Sequence, residues 1–287
     1  MSVNKRKFGF VALLGGPNVG KSTLINKMVG TKVSIVTPKV QTTRRLLVGI
    51  VTHGSSQIAF MDTPGIFRPK RQRDRKMVAA AWGGVDYADI ISVVIDARVG
   101  VDSNSRMIIK HLEKSQRNGI CVLNKIDIVK RPKLLQLTEE LNKTNVFTEF
   151  FMVSAVEGDG VEDFSQFLIQ KMPRGEWRFP EDQLSDINDR LFAAEITREK
   201  LFINLHQELP YAITVETETW EVFRDGSLKI EQVVYVDKNN YRGILLGKKG
   251  ERIKRVRKMA QQELQALLGQ KIHLYLFVKV RKNVEEN

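Results

Sequence analysis

The sequence of 287 residues holds a single cysteine, Cys121, and four scattered histidines, His53, His111, His206 and His273. One cysteine excludes an internal disulfide, and the histidines lack the spacing of a metal site. Cys121 lies in the apolar run Gly119-Ile-Cys-Val-Leu123, which reads as a buried thiol. No apolar run is long enough to span a bilayer. The start, Met1 to Lys7 and then an apolar stretch, imitates a secretory signal. That stretch is short and enters a glycine-rich loop directly, so it reads as a strand. Acidic residues are also in deficit, 33 against 46 Lys and Arg, leaving a net charge of +13. Such an excess implies an anionic partner, either nucleic acid or a membrane surface. What the sequence does have is 42% hydrophobic content, ample for buried cores, in a length that suits one large or two smaller domains.

The organising stretch is Gly15-Gly16-Pro17-Asn18-Val19-Gly20-Lys21-Ser22, a Gly-x-x-x-x-Gly-Lys-Ser phosphate loop. The apolar run before it, Phe8 to Leu14, reads as a strand, and Ser22, Thr23 and the residues to Val29 as a helix. Glycines let the backbone wrap an anion, and the helix N-terminus adds its dipole and unpaired N–H groups. Lys21 is expected at the β- and γ-phosphates and Ser22 on Mg²⁺. Further along, apolar strands alternate with helical stretches, which predicts a mostly parallel sheet covered on both faces. The ends of those strands carry polar motifs, as expected where ligands bind at the carboxyl edge of such a sheet. Asp62-Thr63-Pro64-Gly65 follows one strand. Asp62 is expected in the Mg²⁺ shell, and Gly65 offers an N–H to the γ-phosphate. Asn124-Lys125-Ile126-Asp127 follows another. An ionised Asp127 accepts from N1–H and the 2-amino group of guanine, donors that adenine lacks. Asn124 either binds the base or buttresses the loop, and the Lys125 stem covers the ring. Ser154-Ala155 ends a later strand, where the Ala155 N–H suits the guanine O6. Motifs in this order, each after a strand, point to GTP.

These motifs resemble a translation-factor-class GTPase, and together with the C-terminal half they resemble the Era family of bacterial ribosome-assembly GTPases. The resemblance covers almost the whole chain. It implies that Gln41-Thr42-Thr43-Arg44-Arg45 belongs to switch I, with Thr43 as the Mg²⁺ ligand that senses the γ-phosphate and Thr42 as the alternative. Asp62 to Gly65 and the basic stretch Arg68 to Lys76 would form switch II. Ile66 stands where regulatory GTPases often carry a glutamine that orients the attacking water, so intrinsic hydrolysis is expected to be slow, on the order of ~10⁻⁴ s⁻¹. Asn18 resembles an asparagine that holds potassium beside the phosphates in related GTPases, where the ion does the electrostatic work of an arginine finger. Shaping the loop is its other reading. The expected catalytic set is therefore Lys21, Thr43, Gly65 and Asn18. The expected metal ligands are Ser22, Thr43 and Asp62, and GTP or GDP is bound with Mg²⁺ and, through Asn18, K⁺.

Met172-Pro-Arg-Gly-Glu-Trp-Arg-Phe-Pro180 has Pro, Gly and no periodicity, which marks a boundary. The expected domains are residues 1–173, a linker at 174–184, and residues 185–287. The second part reads as a helix from Ser185 to Leu205 capped by Ser185 or Asp186, a hairpin around Arg224-Asp225-Gly226-Ser227, two helices, and a last strand. Between those helices sits Gly247-Lys248-Lys249-Gly250, a Gly-x-x-Gly loop able to approach a sugar-phosphate backbone. From Arg242 to Lys258 there are eight Lys or Arg against one acid, Glu251. Ile244, Leu245 and Ile253 are expected as an apolar floor under the bases, with Arg252 and Lys254 among the RNA contacts. The pattern resembles a prokaryotic-type KH domain, a smaller α+β unit. Together with the family resemblance it implies a GTP-switched protein that binds the 3′ end of small-subunit ribosomal RNA in 30S assembly. On this reading the chain is a cytoplasmic monomer. The rival reading is a peripheral GTPase of the inner membrane with a cell-cycle or signalling role, its positive charge facing anionic lipid.

Overall fold

The computed structural model describes residues 6–37, 47–67, 69, 72–205 and 213–281. They form two compact units, the first ending at Asp186 and the second starting at Ile187.

The first unit is built on β1 (Lys7–Leu14), β2 (Leu47–His53), β3 (Ser56–Asp62), β4 (Ile90–Asp96), β5 (Gly119–Asn124) and β6 (Phe147–Val153). They form one six-stranded sheet in the order β2-β3-β1-β4-β5-β6, parallel except for the β2–β3 hairpin. The expected mostly parallel sheet is thus present. The continuous apolar run of β1 is explained by burial on both sides: Phe8, Ala12 and Leu14 enter one core, Val11 and Leu13 the other. Helices α1 (Lys21–Val29), α2 (Gln72–Asp86), α3 (Ser103–Lys114), α4 (Arg131–Asn142) and α5 (Val161–Lys171) alternate with the strands. α3 has its N-terminus fixed by Asp102, whose carboxylate accepts from the Ser105 N–H at 2.7 Å. Sheet order reverses at β1, with β3 on one side and β4 on the other, so the phosphate loop opens at the switch point of the sheet. Cys121 is fully buried in β5, and burial pushes its thiol pKa up, which makes it inert.

The boundary stretch lies along this first unit. Arg174 bridges Lys7, Gln57 holds the Phe179 carbonyl and N–H, and Asp186 accepts from the Val48 N–H at 2.9 Å.

The second unit runs α6 (Asp189–Asn204), β7 (Ile213–Val222), β8 (Leu228–Val236), α7 (Asn239–Leu246), α8 (Glu251–Leu268) and β9 (Ile272–Val280). Its sheet has the order β7-β8-β9, with β7–β8 antiparallel and β8–β9 parallel. The parallel pair requires the α7–α8 crossover. α6 begins four residues after the expected Ser185, because Asn188 takes the capping role and accepts from the Leu191 N–H at 2.9 Å. Asp186, the expected cap, is bonded to β2 instead. α8 buries Val256, Ala260 and Leu264 on one stripe and exposes Lys254, Arg255 and Lys258 elsewhere. Among the described residues no helix is long and apolar enough to cross a membrane.

Candidate functional site: phosphate loop and Gly-x-x-Gly loop

The loop from Gly15 to Gly20 is held by backbone demands that only certain residues meet. A Cβ on Gly15 would lie 2.5 Å from the Val94 carbonyl oxygen, and one on Gly20 would lie 2.2 Å from the Asn124 amide nitrogen. Gly20 also has φ +100°. Asn18 sits at φ 61°, a left-handed conformation that asparagine tolerates better than most residues. Gly16 is less constrained, and Pro17 closes against Gly65, whose Cβ would meet the Pro17 backbone at 3.0 Å. The Ile66 N–H donates to the Gly15 carbonyl at 3.0 Å, tying the expected switch II to the loop.

Lys21 opens α1 and is buried. Its ammonium donates to the carbonyls of Gly15 and Gly16 at 3.1 and 3.0 Å. Burial lowers its pKa to about 8, with the nearby Asp62 charge pulling the other way. A buried ammonium resting on carbonyl oxygens is poised to exchange them for phosphate oxygens, which carry full charge.

Asp62 ends β3 and is also buried. Its Oδ2 accepts from the Ser22 hydroxyl at 2.8 Å and from the Ser34 hydroxyl at 2.6 Å. Ser22 and Asp62, both expected near Mg²⁺, are therefore adjacent. Their all-oxygen donor set suits that hard cation, which binds through one or two protein oxygens plus phosphate and water. Thr42 and Thr43, and with them the switch I metal ligand, lie outside the described residues. So do Arg68, Lys70 and Arg71 of the basic stretch. Thr63 is fully buried and donates to the Leu13 carbonyl at 2.6 Å, a structural role beside Pro64. Ile66 is buried in the core, so its side chain is unavailable to the attacking water.

At the other end of the loop, Asn124 acts as a buttress, the second of its two expected roles. It is buried at the end of β5, donates to the Val19 carbonyl at 2.8 Å and accepts from the Ala155 N–H at 3.0 Å. The Ala155 donor expected for guanine O6 is thus already engaged by Asn124. Ser154 accepts from the Glu157 N–H at 3.1 Å through its hydroxyl, shaping that turn. Lys125, at φ 67°, spans the loop: its ammonium donates to the Asn18 carbonyl at 2.8 Å and pairs with Asp96 at 2.6 Å. Asp127 is exposed in the 3₁₀ turn Ile126–Ile128, open to a ligand. Thr23 follows in the first turn of α1.

Three residues of this site were missed by sequence reasoning: Ser34, Asn26 and Asp96. Asp96 had a signal, since it ends the apolar run of β4 at the same sheet edge. Ser34 and Asn26 had none. Asn26 accepts from the N–H groups of Val33 and Ser34, both at 2.9 Å, and donates to the Ser34 carbonyl at 2.8 Å.

In the second unit Gly247 adopts φ 68°, ψ −178°, a region open essentially to glycine alone. Lys249 and Gly250 follow at φ 51° and 77°, and α8 begins at Glu251. Lys248 and Lys249 are exposed. Arg252 donates to the Ile244 carbonyl, closing the end of α7, so this expected RNA contact already serves the fold. The expected apolar floor is only partly available. Ile244 is exposed, but Leu245 is fully buried in the core and Ile253 packs against that core. Helical spacing explains the difference, since successive residues of α7 point to different faces. Among the described residues no group of His, Cys, Asp and Glu could hold a metal ion by itself.

Comparison with known proteins matches this division. The family described as "50S ribosome-binding GTPase" matches residues 10–125, and the KH domain family matches residues 208–285. GTPase Era of Brucella suis is 53% identical over 275 residues, covering 96% of this chain and 88% of that protein. GTPase Era of Dinoroseobacter shibae is 55% identical over 278 residues, covering 96% and 90%. Among solved structures, Era bound to MgGDPNP and nucleotides 1506–1542 of 16S ribosomal RNA is similar with TM-score 0.91 and 38% identity, over 97% of this chain and 95% of that one. Aquifex aeolicus Era bound to GDP and AlF₄⁻ is similar with the same TM-score and identity, over 96% and 95%.

Proposed function

The chain belongs to the Era family of GTPases, and we propose that it is a GTP-hydrolysing switch that binds the 3′ end of small-subunit ribosomal RNA during 30S assembly and rRNA maturation. One observation carries the nucleotide half. The phosphate loop is tied by side chains both to the Ser22–Asp62 pair and to the base-reading loop, through Asn124 on Val19 and Lys125 on Asn18. On this reading the phosphate, metal and base loops are joined by side-chain hydrogen bonds. The description of the GTPase family names the 50S subunit, but it matches residues 10–125 alone. The small-subunit reading rests on the whole-length likeness to Era bound to 16S RNA and on the Gly-x-x-Gly loop.

On this reading Lys21 leaves the Gly15 and Gly16 carbonyls for the β- and γ-phosphates. Ser22, Asp62 and Thr43 would hold Mg²⁺, whose charge would screen the charge that develops on the phosphates. Asp127 selects guanine. The Gly65 N–H would be offered to the γ-phosphate, and Ile66, buried and apolar, cannot orient the attacking water. Slow turnover follows, and a K⁺ held by Asn18 would supply positive charge beside the phosphates. Lys248, Lys249, Lys254 and the glycines Gly247 and Gly250 bring the RNA backbone onto the start of α8. The nucleotide-binding domain takes in the boundary stretch up to Asp186, the RNA-binding domain starts at Ile187, and the protein works as a cytoplasmic monomer.

The test is multiple-turnover phosphate release, with and without an RNA carrying the 16S 3′ end, beside RNA affinity by fluorescence anisotropy. Slow GTP turnover and tight binding of that RNA are expected. Turnover without affinity for the RNA would remove the ribosomal half of the reading.

A further inference from the structure

Ser34 has no place among the expected nucleotide-site residues, yet its hydroxyl donates to Asp62 Oδ2 at 2.6 Å, beside the Ser22 hydroxyl at 2.8 Å on the same oxygen. Ser34 is buried, 28 positions before its partner in sequence. It is also the end of a clamp. Asn26, in α1, accepts from the Val33 and Ser34 N–H groups and donates to the Ser34 carbonyl. The phosphate-loop helix therefore fixes the Ser34 backbone, and Ser34 fixes the carboxylate.

We infer that Ser34 is a positioning residue for the metal: it holds the Asp62 carboxylate in the orientation that Mg²⁺ requires, with Asn26 holding Ser34. The inference rests on the nucleotide-site reading above. Two hydroxyls on one carboxylate oxygen close off rotation about the Cβ–Cγ bond. Both hydroxyls donate to Oδ2, an oxygen able to accept two such bonds. Ser22 reaches Asp62 with its proton. Ser34 needs no lone pair for the metal, and its bond serves orientation alone. Groups that orient a ligand in this way typically alter metal affinity by about 10- to 100-fold when removed.

The experiment follows dissociation of a fluorescent GDP analogue from the full chain while free Mg²⁺ is raised from micromolar to millimolar. In the unsubstituted protein, dissociation slows as Mg²⁺ is added. Ser34→Ala is expected to need about 10-fold more Mg²⁺ for half the effect, with the rate in excess EDTA unchanged. Ser34→Thr, which restores a hydroxyl, should titrate within about twofold of the unsubstituted protein, a rescue that a purely structural role of Ser34 would not give. Asn26→Ala should shift the midpoint in the same direction, and carries the test if Ser34→Ala does not fold. A folded Ser34→Ala protein with the original Mg²⁺ midpoint overturns the inference and leaves the nucleotide site standing. An unsubstituted protein whose dissociation ignores Mg²⁺ overturns the nucleotide-site reading itself, and the inference with it.

Discussion

Lys21 shows how much chemistry one residue can concentrate. Its pKa in the folded chain is about 8, against 10.5 for an ordinary lysine, because burial disfavours the charged form more than Asp62 favours it. The sign follows. Below about pH 8 the ammonium is charged in both states, and the native state carries the full cost of burying it. Between about 8 and 10.5 the unfolded chain binds more protons, so native stability rises with pH through that window. The denaturation midpoint of nucleotide-free protein should therefore climb from about pH 7.5 to about pH 9.5. Lys21→Met should flatten the climb, and so should saturating nucleotide, whose phosphates hold the lysine charged. Asp127 gives a second prediction. Asp127→Asn should weaken GTP and strengthen xanthosine triphosphate binding, since the amide donates where xanthine has a carbonyl. Unchanged preference in a competition assay would contradict base reading by this residue. Asn18 gives a third. Turnover should be faster in potassium than in sodium, and Asn18→Ala should erase the difference. Equal rates at matched ionic strength would leave Asn18 its loop geometry alone, which its φ of 61° already accounts for. The motif residues were legible because each answers a local backbone or charge demand at fixed spacing. Ser34 and Asn26 were not, because a serine meeting Asp62 across 28 residues leaves no local pattern.

At the scale of elements, period and punctuation were enough to place the strands and helices, since burial on both faces of a sheet yields apolar runs and burial on one face of a helix yields stripes. Ends were harder. The cap of α6 is Asn188 because Asp186, an equally good cap by type, is taken by a backbone N–H of β2. The Gly-x-x-Gly loop was legible as a motif, but the different tasks of its glycines were not. A Cβ on Gly247 would meet the Arg252 Cβ at 2.8 Å, whereas a Cβ on Gly250 meets nothing within 4 Å. Gly247→Asp therefore disturbs the loop itself, and Gly250→Asp is the cleaner probe. Gly250→Asp should keep the fold at some cost in backbone strain, and should repel phosphate. Each base that no longer stacks forfeits about 1–3 kcal/mol, so RNA affinity should fall by at least tenfold. Lys248→Ala or Lys249→Ala should do less and lower the salt dependence of binding by about one ion each. Anisotropy titrations at several salt concentrations measure both effects. If Gly250→Asp bound RNA normally while folded, the loop would not be the RNA-reading element.

For the whole molecule, charge and the order of elements were legible but coupling was not. A net charge of +13 attracts RNA and anionic lipid alike, and co-sedimentation with anionic vesicles, with and without competing RNA, separates the two. A switch needs more than two binding units: it needs the nucleotide to change RNA affinity. Linkage then makes the change reciprocal. If a non-hydrolysable GTP analogue strengthens RNA binding relative to GDP by some factor, RNA must strengthen the analogue relative to GDP by the same factor. Couplings of this kind usually amount to about 5- to 150-fold, within reach of titration. We expect RNA affinity to be higher with the analogue than with GDP, and the analogue-to-GDP affinity ratio to rise equally when RNA is saturating. Gly250→Asp should abolish the effect of RNA on that ratio while leaving nucleotide affinity without RNA unchanged, because the substituted glycine lies in the second unit and the phosphate loop in the first. Four titrations on one preparation close the cycle. Equal RNA affinity in both nucleotide states would reduce the chain to a GTPase and an RNA binder that share a backbone, because a ligand with no preference between two states shifts neither.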